Sequence, residues 1–248
     1  FYQCDIDVIG DEELSIKYDS EMPSIIYDIF KKLNIGDFVI RINNRKVLGG
    51  FFNSLNLTDK ITDILRIIDK IEKIGEEEVK KELNELSLNE EQIRKTLNFI
   101  KIEGTNQEKL EILKNMNIED EMFNKGITEL EEVINDLKAR RLSSENYEID
   151  LTIARGLDYY TGTVYETFLN DYRKLGSICS GGRYDNLAEY YTNQKLPGVG
   201  ISIGLTRLFY QLSEINQIKA DRESVSQVLV IPMETEMAES LEIANKLR

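Results

Sequence analysis

The chain of 248 residues contains no histidine, two cysteines and three prolines. Without histidine there can be no Ser-His-Asp triad, no Cys-His dyad and no Cys/His zinc cluster. Cys4 and Cys179 both lie in apolar, strand-like surroundings, so both are expected to be reduced core residues and not a disulfide pair. No apolar run approaches the roughly 20 residues of a membrane-spanning helix. No basic stretch leads into an apolar segment with a small-residue cleavage site, so nothing reads as a secretion signal. Positive charge is also scarce: 31 Lys and Arg stand against 45 Asp and Glu, for a net charge of −14. That balance argues against nonspecific nucleic-acid binding, which draws its affinity from phosphate neutralisation, but it leaves room for a local basic patch that contacts a shaped RNA.

What is present describes a globular protein, with 41% hydrophobic and 31% charged residues, in the usual range for soluble domains. The length suffices for one sizeable core, or one core with a smaller satellite. The chain opens on Phe1 inside a strand-like pattern and stops at Arg248 inside a helical one, so a piece of a longer polypeptide is expected.

Alternation over residues 1–9 places Gln3, Asp5 and Asp7 on one face of a strand. Residues 10–19 read as an acidic turn. Ser20 then reads as a helix N-cap, with Pro23 in the first turn and Ile25, Ile26, Ile29 and Phe30 as the apolar stripe. Asn34-Ile35-Gly36 stops that helix. A strand over 37–43, a helix over 44–55 and a helix from Thr58 to Ile71 follow.

The composition changes at Gly75. Residues 75–146 hold 18 acidic and 11 basic side chains, half of the net charge, with no proline and no tyrosine. They read as amphipathic helices broken near Ser87, Gly104 and Ile118, that is, as a solvated all-helical insertion. Lys138, Arg140 and Arg141 form its one compact basic cluster, the feature an RNA contact would use. Strands return at 148–154, 164–169, 176–180 and 199–203, followed by a helix at 204–212. A polar linker, a buried-type strand at 227–232 and a helix at 234–248 look like the beginning of an α/β C-terminal domain. The expected layout is a catalytic part over 1–74 and 147–217, the insertion at 75–146, and the linker with the new domain at 218–248. The fold class is α+β, an antiparallel sheet flanked by helices.

Several polar residues sit where half-buried strands should be apolar: Gln3 and Asp7; Arg155 and Asp158 beside Tyr159 and Tyr160; Arg183, Tyr184 and Asp185 after Gly181-Gly182. Arg207 lies one turn into the helix after Gly198-x-Gly200-x-x-x-Gly204. Buried polar groups are costly unless paired or holding a ligand, so four clusters in one small chain favour a shared cleft. Arginines without histidine or a metal cluster suit phosphate oxygens, and glycines let a ring or phosphate approach the backbone. Phosphoryl or nucleotidyl transfer, which works by positioning and charge stabilisation, needs no histidine. Each element is weak alone. Gly198-x-Gly200 departs from the dinucleotide fingerprint, no P-loop lysine pattern exists, and Arg183 with Asp185 also reads as an ordinary strand-end ion pair.

Taken together, these segments resemble the histidyl-tRNA synthetases, a family of class II aminoacyl-tRNA synthetases. Phe1-Tyr2-Gln3-Cys4-Asp5-Ile6-Asp7 is similar to the second half of class II motif 2. Ala154 to Glu166 matches the first histidine-specific signature and Ser180 to Leu187 the second, and Gly198 to Leu208 resembles motif 3. Residues 227–248 resemble the start of the anticodon-binding domain.

The resemblance implies ATP-dependent activation of L-histidine and its transfer to tRNA(His), with Mg2+ accompanying ATP, in a cytoplasmic homodimer without a membrane partner. It implies that Gln3 holds the α-amino group, Asp7 and Tyr160 bind the two imidazole nitrogens, and Tyr159 and Tyr184 line the pocket. Asp7 stands where many bacterial members carry glutamate. Arg155 would be the catalytic cation, contacting the substrate carboxylate and the α-phosphate. Gly204 and Arg207 would serve ATP, and no protein metal ligand is implied. Thr206 replaces the glutamate often found before that arginine. Motif 1, the first half of motif 2 and most of the anticodon domain are not in this sequence, so the 248 residues alone are expected to be inactive. Two rival readings are the histidine-sensing regulatory subunit of ATP phosphoribosyltransferase, which usually degrades the Ala154–Glu166 signature, and a plain helical interaction module built on 75–146.

Overall fold

A computed structural model describes residues 1–153, 159–218, 224–233 and 237–248. Two compact units are present, Phe1–Gln211 and Leu212–Arg248.

The first unit is built on a six-stranded sheet of β1 (Cys4–Ile9), β2 (Phe38–Asn44), β3 (Tyr147–Ile149), β4 (Thr163–Leu169), β5 (Cys179–Tyr184) and β6 (Gly198–Ile203), in the order β1-β6-β5-β4-β2-β3. Neighbours are antiparallel except β2 and β3, which run parallel, so the sheet is mixed and not wholly antiparallel as expected. Of the middle strands, β2 and β4 are buried throughout. β1 and β3 are the edges, and the pattern of β1 is mostly exposed. Cys4 is therefore exposed while Cys179, on β5, is buried, which corrects the expectation that both sit in the core. Edge strands have one covered flank fewer than central ones, and local apolarity does not reveal which strand will be an edge.

Helix α1 (Lys17–Leu33) starts three residues before the expected cap. Ser15, not Ser20, serves the first turn, its hydroxyl accepting from the Lys17 amide at 3.3 Å. Ser20 is fully buried inside the helix and donates to the Lys17 carbonyl at 2.8 Å. Pro23 lies inside the helix and has no amide to give the carbonyl of residue 19. That carbonyl instead accepts the hydroxyl of buried Tyr165 at 2.7 Å. The helix stops as expected: Asn34 adopts φ 51° and returns its amide to the Phe30 carbonyl.

Helix α1 is also bolted to the sheet by charge. The Arg183 guanidinium grips the Asp19 carboxylate through Nε at 3.0 and 3.1 Å and Nη2 at 2.6 Å, and both side chains are buried. Desolvation alone would lower the pKa of Arg183, but hydrogen bonds and charge from Asp19, then Asp185, hold it above its ordinary value.

Helix α2 (Arg45–Ser54) follows β2 directly, capped by Asn44, whose side chain accepts from the Lys46 amide. After a 3-10 turn at Thr58–Lys60 come α3 (Ile61–Ile68), α4 (Ile71–Ile74), α5 (Glu76–Glu85), α6 (Glu90–Ile100), α7 (Asn106–Asn115) and α8 (Glu121–Ala139). Positive φ at Gly75, Ser87, Gly104 and Asn117 marks the breaks. Capping boxes start α6 (Asn89 with Gln92) and α7 (Thr105 with Glu108). The aromatics of this acidic stretch join α2: Phe99 stacks on Phe51 at 3.8 Å, with Phe123 at 6.5 Å from Phe99. Helix α8 packs on α2 and α1.

Arg41 of β2 fixes the end of the α3–α4 segment to the sheet. It pairs with Glu72 at 2.6 Å, Glu148 at 3.2 Å and Asp150 at 3.2 Å, and lies 4.8 Å over the Phe168 ring. The strand expected at 148–154 shortens to Tyr147–Ile149, and that expected at 176–180 moves to Cys179–Tyr184. Helix α9 (Leu205–Glu214) follows β6, and α10 (Met237–Leu247) lies in the second unit. The strand expected at 227–232 is not formed: residues 224–233 are irregular, with Val228, Leu229 and Ile231 exposed. A strand exists by its ladder, and none of the described residues pairs with this one. No helix among the described residues is long and apolar enough to cross a membrane.

Candidate functional site

Register selects what the open face of the sheet presents. One cross-strand row runs Asp5, Ser202, Ser180, Glu166 and Arg41; the next carries Asp7, Gly200, Gly182 and Val164. Over these rows lies a cleft of about 950 Å³, at the upper end of the size usual for ligand sites. Its lining includes Gln3, Asp7, Tyr159, Tyr160 and Tyr184, with Thr62 and Arg66 from α3 and Asp69 and Lys70 from the α3–α4 junction.

The centre is a carboxylate among phenols. Tyr184 Oη donates to Asp7 Oδ1 at 2.6 Å. The Tyr159 ring lies 4.6 Å from that of Tyr160 and 6.1 Å from that of Tyr184, edge to face in both cases. Burial raises the Tyr160 hydroxyl well above the ordinary phenol value, and a hydrogen bond with Tyr159 and the charge of Asp7 add to it. Tyr184 is raised too, by burial and then by its bond to Asp7. Both phenols are thus neutral donors at pH 7. Gln3 is held by Nε2 donating to Ser202 Oγ at 3.1 Å.

Two glycines make this packing possible. A Cβ on Gly200 would fall 2.0 Å from Asp7 Oδ1, and one on Gly198 would fall 2.3 Å from a Tyr184 ring carbon. The Gly198-x-Gly200 spacing is a floor beneath side chains here.

Gly204 and Arg207 line an adjoining cavity of about 500 Å³ that shares Gln3, Ser180 and Ser202 with the cleft. Arg207 Nη2 donates to the Leu175 carbonyl at 3.0 Å. Thr206 pairs with Tyr2, its hydroxyl accepting the Tyr2 amide at 2.6 Å and its amide donating to the Tyr2 carbonyl at 3.2 Å.

The structure therefore brings Gln3, Asp7, Tyr159, Tyr160 and Tyr184 to one cleft and Gly204 and Arg207 to its neighbour. Arg155 and Asp158 lie outside the described residues. Arg183, grouped with Tyr184 in the sequence, points the other way into its pair with Asp19, because adjacent strand residues face opposite sides. Sequence reasoning missed Ser180, Ser202 and Glu166, whose alternation with apolar neighbours was a usable signal. It also missed the α3 residues, whose helix reads only as an apolar stripe.

Fold and cleft define an α+β domain whose sheet presents a cleft lined by carboxylates and phenols beside a second cavity carrying an arginine. A family model described as histidyl-tRNA synthetase matches residues 1–208. Histidine–tRNA ligases of Clostridium tetani and Finegoldia magna are 60% and 48% identical to the whole chain, which covers 56% and 57% of their lengths. The crystal structure of histidyl-tRNA synthetase from Nostoc sp. PCC 7120 superposes with a TM-score of 0.87 at 49% identity, over 99% of this chain and 58% of that one. A structure from Bacillus halodurans, described as an ATP phosphoribosyltransferase regulatory subunit/histidyl-tRNA synthetase, shares the fold at 20% identity and a TM-score of 0.68, over 81% of this chain and 50% of that one. The chain belongs to the histidyl-tRNA synthetase family and spans about half the length of the curated relatives it matches.

Proposed function

We propose that this chain carries the histidine pocket and part of the ATP site of a histidine–tRNA ligase, which activates L-histidine with ATP to histidyl-adenylate and transfers it to tRNA(His). The observation that carries the reading is the Asp7 carboxylate set among neutral phenols. A neutral imidazole offers one N–H and one lone pair. Asp7, already receiving Tyr184 on Oδ1, has a second oxygen to accept the N–H, and the Tyr160 hydroxyl, protonated at pH 7 as any phenol is, can donate to the other nitrogen. Gln3, just before the same strand, would take the α-amino group and Tyr159 would close the pocket. Arg155 would hold the substrate carboxylate and α-phosphate as the carboxylate attacks and pyrophosphate leaves. Gly204 and Arg207 would seat ATP in the neighbouring cavity.

Mg2+ enters this reading on the ATP phosphates. Among the described residues no three His, Cys, Asp or Glu side chains converge as a ready ligand set. The family relation supports a cytoplasmic homodimer for the intact protein, and the 248 residues alone are expected to be inactive.

The test is amino-acid-dependent ATP–pyrophosphate exchange by the full-length protein, with Arg155→Ala as control. Exchange with histidine alone, lost in the control, is expected. Histidine binding with no exchange would replace this reading with a histidine-sensing subunit.

A further inference from the structure

Tyr160 and Tyr184 come from separate segments, and the residue following each one meets its counterpart. Thr161 Oγ1 donates to Asp185 Oδ2 at 2.6 Å, and the Asp185 amide donates back to Thr161 Oγ1 at 3.1 Å. The Thr161 amide donates to the Arg183 carbonyl at 2.8 Å. Three bonds thus staple the backbone just beyond one phenol to the backbone on either side of the other. The staple has a stiff anchor: Arg183 Nη1 reaches Asp185 Oδ1 at 3.4 Å while the same guanidinium is locked on Asp19 and on the Ser15 carbonyl. On the other side the Arg45 amide donates to the Gly162 carbonyl at 2.9 Å, so the segment is held from the first residue of α2 as well.

Neither Thr161 nor Asp185 lines the cleft. What they fix is the separation of the two phenols across it. In the histidine-pocket reading the ring lies between the Tyr160 hydroxyl and the Asp7 carboxylate that Tyr184 holds, so its two hydrogen bonds depend on that separation to a fraction of an ångström. We propose that Thr161 and Asp185 are positioning residues that set the spacing of Tyr160 and Tyr184, and through it the affinity for histidine; this rests on the histidine-pocket reading.

The substitutions are Thr161→Val, which keeps the shape and removes the hydroxyl; Thr161→Ser, which keeps the hydroxyl; and Asp185→Asn. Each is made in the full-length protein and assayed by ATP–pyrophosphate exchange at varied histidine and varied ATP, with thermal melting alongside. Thr161→Val and Asp185→Asn are expected to raise KM for histidine about tenfold, the effect of ~1.4 kcal/mol, with KM for ATP unchanged and Thr161→Ser restoring the wild-type value. An unchanged histidine KM overturns the proposal, and so does a drop in melting temperature with no change in KM, since the pair would then only stabilise the fold. Wild-type protein that binds histidine without exchange would defeat the ligase reading alone. The same variants are then compared by calorimetric Kd, with the same tenfold criterion.

Discussion

Replacing Gly200 by alanine tests the construction of the pocket with a single methyl group. The added Cβ would lie 2.0 Å from Asp7 Oδ1, 2.6 Å from its Cγ and 2.7 Å from the Ile6 carbonyl oxygen. Ordinary non-bonded contact begins near about 3.5 Å, so the Asp7 carboxylate must retreat by about 1.5 Å, and β1 must shift slightly to relieve the carbonyl. A carboxylate moved that far leaves its 2.6 Å bond with Tyr184 Oη and its place opposite Tyr160. A hydrogen bond to a charged group is worth about 1.5–3 kcal/mol, which predicts a loss of histidine affinity of about 10- to 100-fold. The cost to folding should be smaller, because β1 is an exposed edge strand and can yield. The assay is calorimetric titration of the full-length protein with histidine, and separately with ATP, whose proposed cavity at Gly204 and Arg207 does not include residue 200. A histidine Kd within twofold of wild type would refute the argument that the glycine exists to admit Asp7. Equal losses for histidine and ATP would refute it as well, by showing a general collapse of the sheet.

The buried pair under the sheet makes a stability prediction. Asp19→Ala leaves the Arg183 charge without its main partner, which should cost about 3–5 kcal/mol, whereas the joint replacement Asp19→Leu with Arg183→Met should recover most of it. Urea denaturation at constant m-value measures both, and a single-variant loss under ~1 kcal/mol would show that the pair is dispensable. The cysteines should differ in reactivity. Cys179 is buried, with its thiol pushed up to about 12 by desolvation, while Cys4 is exposed; native protein at pH 8 should therefore take up one equivalent of iodoacetamide and denatured protein two, and equal native rates would contradict the packing of β5.

Much of this molecule is legible locally. Period-two alternation put Gln3, Asp5 and Asp7 on one face, and turn chemistry at Asn34 stopped a helix where the backbone turns to positive φ. Of the polar residues that interrupt the strand patterns, Gln3, Asp7 and Tyr184 line one cleft. Arg183 instead pairs with Asp19, 164 positions away in sequence. Helix α1 began early because Ser20 is buried against α8, donating also to Asp136 Oδ2 at 3.1 Å, a contact no local pattern announces.

The sequence by itself determined the family, the alternation of strands and helices, and which polar residues could meet a ligand, because those follow from short-range periodicity and from motifs read as strings. The tertiary structure decided which of them share a cleft. It made β1 an edge and exposed Cys4, turned Arg183 away from Tyr184 toward a helix, brought α3 over the cleft through the clamp of Arg41 on Glu72, and placed glycines under Asp7 and Tyr184. Each of these depends on strand order and long-range pairing. Those are set by the global burial of apolar surface and the satisfaction of buried charge, and no window of neighbouring residues contains them.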